Sequence, residues 1–141
     1  LPSNLDAWDG YPAARERLFA MLSAYATNPI SLAGDTHNAW AFSLTNAQGE
    51  AVGVEWGTPG VSSPGLESYV PLPPERMQAL LKGASPELVA CDTSQRGWTQ
   101  VTLTPESATV QWRFVSSVVE PTYQVSAGES LVAERDTRRL T

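Results

Sequence analysis

A chain of 141 residues, 42% of them hydrophobic, is long enough for one domain with a real core. Its formal charge of −6 and pI near 4.6, with no block of basic residues, argue against a nucleic-acid-binding surface or general attraction to anionic membrane. A single cysteine, Cys91, excludes an internal disulfide and a thiolate metal cage, and no apolar run approaches the roughly 20 residues that span a bilayer.

Leu1 stands where a Met would initiate and is read as a processed or excised start, with nothing after it resembling a signal peptide. Asn4 to Tyr11 is a turn-rich lead-in in which Asp6 and Asp9 flank Trp8. Asp9 is a candidate ligand or substrate contact, although aspartate before glycine is also an ordinary turn former. Pro12 sits where proline is pre-organised for a helix start. From Ala13 to about Ala26, Ala14, Leu18, Met21, Leu22 and Tyr25 recur at helical spacing.

Asn28-Pro29 then punctuates, and Ile30 to Ala33 reads as a short, largely apolar, buried strand. Gly34 is expected to let the backbone turn so that Asp35 and His37 emerge together at the strand's carboxyl end, where open α/β sheets place their chemistry. The pair offers one oxygen and one nitrogen ligand, and His37 is the chain's single histidine. With Thr36 pointing away, their ligating atoms are expected to converge on one point. The same residues also fit a plainer role, His37 as a capping or core residue and Asp35 as a turn former.

Trp40, Phe42 and Leu44 alternate with Ala41, Ser43 and Thr45, which predicts a strand with one strongly apolar face. Asn46 to Gly49 reads as a hairpin turn into Ala51 to Trp56. Gly57 to Gly65 is a loop dense in Gly, Pro, Ser and Thr; Thr58, Ser62 and Ser63 could face a phosphate-sized ligand or be ordinary turn residues. After Pro71 to Pro74 a short helix is expected over Glu75 to Lys82, with Met77, Leu80 and Leu81 inward and Gly83 as its cap. Trp98 to Thr104 and Ala108 to Val115 form an antiparallel hairpin about Pro105-Glu106, Tyr123 to Ala133 an edge strand, and 134–141 a frayed tail.

Five ordered stretches carry a resemblance over nearly the whole chain. They are Leu5-Asp6-Ala7-Trp8-Asp9-Gly10-Tyr11-Pro12-Ala13-Ala14-Arg15-Glu16-Arg17-Leu18, Gly34-Asp35-Thr36-His37-Asn38-Ala39-Trp40, Val52-Gly53-Val54-Glu55-Trp56, Val61-Ser62-Ser63-Pro64-Gly65 and Asp92-Thr93-Ser94-Gln95-Arg96-Gly97-Trp98. Together they resemble the C-terminal portion of PhoD-like alkaline phosphatases, within the calcineurin-like metallophosphoesterases. The resemblance implies an α+β fold: the C-terminal half of a four-layer αββα sandwich, with a mixed sheet plus an antiparallel C-terminal hairpin. It implies hydrolysis of phosphate monoesters or diesters by a metal-activated water. The metals it implies are iron and calcium, with zinc or manganese as alternatives, in enzymes of the periplasm, cell surface or medium. By the family pattern Asp35 and His37 carry over as metal ligands and catalytic residues, with Asp9 as a further ligand and Asn38 as a substrate contact beside Thr58.

The family's other ligands lie in an N-terminal half that would be this chain's partner, with the phosphate ester as substrate. Two ligands cannot hold a multinuclear centre, so the isolated chain is expected to be a poor catalyst. The alternatives from other classes are a non-catalytic anion- or protein-binding module and a structural remnant. A half-sandwich should also expose an apolar face, either that of Trp40 and Phe42 or that of Trp112 and Phe114, for burial against another polypeptide.

Overall fold

The computed structural model describes residues 5–141, so the first residue of the expected lead-in, Asn4, lies outside the described residues. A short 3-10 turn, Trp8–Gly10, leads into helix α1 (Pro12–Tyr25), which opens on proline as expected. The helix leans on the sheet through part of the stripe its periodicity suggested, with Ala14, Leu18 and Leu22 half-buried. Phe19 is its buried residue, capped by the Arg15 guanidinium 4.3 Å from the ring centroid, whereas Met21 and Tyr25 are exposed.

Strands β1 (Ile30–Ala33), β2 (Ala39–Thr45), β3 (Ala51–Gly57) and β4 (Leu88–Asp92) make a mixed sheet in the order β1-β3-β2-β4. Strand β1 runs parallel to β3, and the other pairs are antiparallel. It was expected to be buried; instead it is an edge strand with Ser31 and Leu32 exposed. Strand β4 was not foreseen, although the apolar run Leu88 to Cys91 carries its signal. Helix α2 (Pro74–Ala84) connects β3 to β4 and runs through Gly83, ending where the Ser85 N–H reaches the Leu81 carbonyl.

The second sheet is a three-stranded antiparallel meander of β5 (Arg96–Leu103), β6 (Ser107–Val115) and β7 (Val125–Glu134), the expected hairpin joined by the expected edge strand. In β6 the residues alternate strictly, Ala108, Val110, Trp112 and Phe114 facing inward. They meet Ala39, Ala41, Val54, Trp56 and Ala90 of the mixed sheet in one core cluster, to which Leu131 and Leu140 also belong. The small alanines of β2 and β4 leave room between the sheets for Trp56 and Trp112.

The face of Trp112 and Phe114 is therefore buried within this chain, at 2% and 4% exposure, and waits for no other polypeptide. On the far side of the mixed sheet Trp40 and Phe42 are partly buried against the cluster of Met77, Leu81, Leu88 and Cys91. Strand β2 is thus covered on both faces, and the architecture among the described residues is helices, mixed sheet, antiparallel sheet.

The last eight residues, expected to fray, are tied down. Arg138 donates to the carbonyls of Ser23, Ala26 and Thr27 at the end of α1, Thr141 pairs with Val132, and Leu140 is buried. No helix among the described residues is long and apolar enough to cross a membrane.

Candidate active site

Because β1 and β3 are parallel, and β2 runs opposite to both β3 and β4, the carboxyl ends of β1, β3 and β4 share one rim of the sheet. Three loops meet there: 34–38, 58–65 and 93–95. They are joined by backbone bonds, Thr58 N–H to Ala33 carbonyl at 2.9 Å, Gly97 N–H to Gly60 carbonyl at 3.0 Å and Glu67 N–H to Thr93 carbonyl at 3.3 Å.

The turn after β1 is made by the candidate ligands themselves. Asp35 and His37 both hold left-handed backbone, with φ of 71° and 59°, while Gly34 needs no such freedom. Each left-handed non-glycine residue costs on the order of 1 kcal/mol, and such strain persists only where neighbours over-determine it. Here they do. The Asn38 side chain is buried at 4% exposure, donates to the Thr36 carbonyl at 2.6 Å and accepts from the Leu66 N–H at 3.0 Å. Trp40 Nε1 donates to Thr36 Oγ1 at 2.7 Å.

His37 Nδ1 lies 3.0 Å from the Pro64 carbonyl oxygen. A carbonyl only accepts, so Nδ1 carries the proton in this contact, which in the neutral ring leaves the lone pair on Nε2, the tautomer of a metal-ligating imidazole oriented by a backbone oxygen. The exposed Asp35 carboxylate is two residues away. Thr58 is half-buried at the carboxyl end of β3, its methyl group 3.7 Å from where a side chain on Gly34 would begin. Asp9 lines a cavity of about 470 Å³ together with Gly34 and Thr36.

Asp92 belongs to the rim but is fully engaged: Oδ1 accepts from the backbone of Ser94 and Gln95, and Oδ2 accepts from the Gln95 side chain. The turn it shapes presents Arg96, 11% exposed in its side chain, to Glu67, with which it forms an ion pair. That pair and the Pro64 contact escaped the reading from residue types; Pro64 and Arg96 lie within the resembling stretches, whereas Glu67 lies outside them. Among the described residues no three His, Cys, Asp or Glu side chains come together to hold a metal.

The cavity runs beneath α1 and α2 along the mixed sheet, walled by Phe19, Trp40, Phe42 and Leu81 and carrying Arg15, Glu55 and Glu87. Arg15 reaches Glu87 at 3.2 Å. Burial pushes the Glu55 carboxyl above its ordinary value near 4.5, the Ser31 hydroxyl and Arg15 only partly opposing it. A raised carboxyl pKa means the folded chain binds the proton more tightly than the unfolded chain. Ionised Glu55 therefore lowers stability as pH rises from about 4.5 through the folded value. In the 141-residue chain Glu55→Gln is expected to melt higher at pH 7, the gap closing toward pH 4; thermal melts across that range are the check.

A two-sheet α+β domain with its strained polar loops gathered at the carboxyl ends of three strands has the layout of a binding or catalytic site. The family model for PhoD-like phosphatase matches residues 1–112, and the chain belongs to that family. It is 28% identical to alkaline phosphatase D of Bacillus subtilis (strain 168) over 142 residues, covering 97% of this chain and 24% of that protein. A solved structure of PhoD superposes with a TM-score of 0.73 at 24% identity, covering 96% of this chain and 26% of that one, which supports the α+β fold with its mixed and antiparallel sheets. The chain thus spans about a quarter of the length of the relatives it matches.

Proposed function

We propose that these residues supply two metal ligands, Asp35 and His37, to a metal-dependent phosphatase that hydrolyses phosphate esters, the remaining ligands coming from polypeptide beyond them. The observation that carries this is the His37 ring, held through Nδ1 by the Pro64 carbonyl so that Nε2 is the nitrogen left for a ligand, two residues from an exposed carboxylate. An oxygen and an imidazole nitrogen suit iron or zinc, and the carboxylate also suits calcium or manganese. When bound, the metal supplies Lewis-acid activation of water and neutralisation of phosphoryl oxygens.

This chain's own residues do the positioning. Asn38 clamps the strained turn to the residue after the 58–65 loop, the Pro64 carbonyl selects the imidazole tautomer, and Thr58, at the carboxyl end of β3, is the proposed contact for a phosphate oxygen. Asp9 is a further ligand candidate on the same side of the sheet. Resemblance to the family supports a four-layer αββα sandwich and a periplasmic, cell-surface or secreted location.

The test uses the polypeptide as its gene encodes it. His37→Ala and Asp35→Ala should each lower bound metal and cut hydrolysis of a chromogenic phosphate ester at least about 100-fold. The 141-residue chain alone should stay near background with iron, calcium, zinc or manganese. Undiminished turnover by the His37→Ala protein would refute the assignment.

A further inference from the structure

We propose that Glu67, held by Arg96, is a positioning residue for His37, acting through the Pro64–Gly65 peptide to keep the imidazole in the tautomer that leaves Nε2 for a metal. The inference deepens the function proposed above, in which His37 is a ligand, and rests on it.

The peptide unit between Pro64 and Gly65 is flat and trans, so its carbonyl and its N–H point in opposite directions. The carbonyl faces His37 Nδ1 at 3.0 Å, and the N–H donates to Glu67 Oε1 at 3.4 Å. A carboxylate therefore stands at the far end of the same plane that meets the imidazole. Its Oε1 also accepts from the Arg96 guanidinium and from the Ser68 hydroxyl, while Oε2 is sealed from solvent with no partner among the described residues. Arg96 donates in addition to the Gln95 carbonyl at 3.1 Å, and the Glu67 N–H reaches the Thr93 carbonyl, so the carboxylate is tied both to β5 and to the 93–95 loop.

The chain itself does not force this orientation. Glycine lets the plane rotate, and Pro64 has no N–H with which to anchor its other side. Asn38 holds the following peptide, through the Leu66 N–H, but not this one. Turned over, the Pro64–Gly65 peptide would aim its carbonyl at the Glu67 carboxylate, acceptor against acceptor, and its N–H at Nδ1. Nδ1 would then have to accept, and the proton of the neutral ring would sit on Nε2, closing the nitrogen proposed for the metal. Glu67 makes that state costly, and Arg96 keeps Glu67 where it does so. The same crowding accounts for glycine at position 65: a Cβ would lie 2.5 Å from Asn38 Oδ1 and 2.9 Å from Glu67 Oε2.

Histidine-selective nitrogen NMR on the metal-free polypeptide as its gene encodes it reads the tautomer, at about pH 9, where an ordinary imidazole of pKa near 6.5 is neutral. The His37 signals are those lost in His37→Gln. In the unmodified protein Nδ1 should carry the proton. Glu67→Ala should move most of it to Nε2 and weaken metal binding about tenfold, as loss of an outer partner does. Glu67→Gln keeps an acceptor for the Gly65 N–H and should hold the Nδ1–H form. Arg96→Met leaves Glu67 present but unanchored and should give a mixture, which reads the same effect should the alanine variant not fold. Arg113→Met, on β6 and bonded to Gln100 instead, should leave the ring unchanged. A merely structural ion pair would lower the melting temperature without moving the proton. An Nδ1–H ring that survives Glu67→Ala or Arg96→Met would overturn the proposal, as would a Gln variant that behaves like the Ala variant. The proton is read without metal or turnover, so a moved proton with undiminished activity sinks the ligand role of His37, and an unmoved proton in an active enzyme sinks only this inference.

Discussion

Replacing Gly97 by alanine should unfold this domain or destabilise it by about 4 kcal/mol or more, at the extreme of what single substitutions do. A Cβ at position 97 would lie 1.8 Å from the Arg113 carbonyl oxygen and 2.8 Å from its carbon. Both are backbone atoms of the paired strand β6, so no rotamer change relieves the clash; the strands must part. Gly97 also donates to the Gly60 carbonyl, so parting the strands there loosens the loop that carries Pro64 behind His37. Gly83→Ala is the contrast. That position lies within α2 with nothing inside 4 Å of a new Cβ, and the change should stabilise by about 0.5–1 kcal/mol. Urea unfolding of the two variants side by side checks both directions, and equal stabilities would show that β5 and β6 are not in close backbone contact at Gly97.

Trp56→Ala should cost about 3–5 kcal/mol, a large share of the 5–15 kcal/mol that holds a typical domain together. Trp56 is 1% exposed and lies where both sheets meet, beside Ala41 in register. Its neighbours there include alanines, which have little side chain with which to fill the void. The indole Nε1 is buried without a hydrogen-bond partner among the described residues, so Trp56→Phe removes an unsatisfied donor as well as volume. That variant should lose less than about 1.5 kcal/mol. Chemical denaturation monitored by circular dichroism measures both, and a Phe variant as weak as the Ala variant would mean the indole nitrogen is satisfied after all.

Cys91 offers a milder check on the same packing. Its thiol is buried and pushed up to about 11 by burial, so it should resist a thiol reagent at pH 8 in the folded protein and react once denatured.

The sequence by itself determined the elements whose periodicity is local. Pro12 started α1, the alternation of Ala108, Val110, Trp112 and Phe114 gave β6 with its inward face, and Gly34-Asp35-Thr36-His37 marked a turn after a strand. The ordered stretches also carried the family. What only the tertiary structure decided is pairing across distance. Nothing local says that β1 lies parallel beside β3 as an open edge, that Leu88 to Asp92 closes the sheet on β2, or that the alanines of β2 face the core while Trp40 and Phe42 face the helices. Hydrophobic alternation shows that a strand has two faces, but which partner covers each depends on residues tens of positions away.

The site divides in the same way. Residue types could nominate Asp35 and His37, but the left-handed backbone that turns them, the Asn38 clamp and the Pro64 carbonyl that fixes the imidazole exist only once the 58–65 loop is laid against β1. The tail follows suit: 134–141 is polar and frays on any local reading, and it is ordered because the carbonyls at the end of α1 need donors and Arg138 provides them.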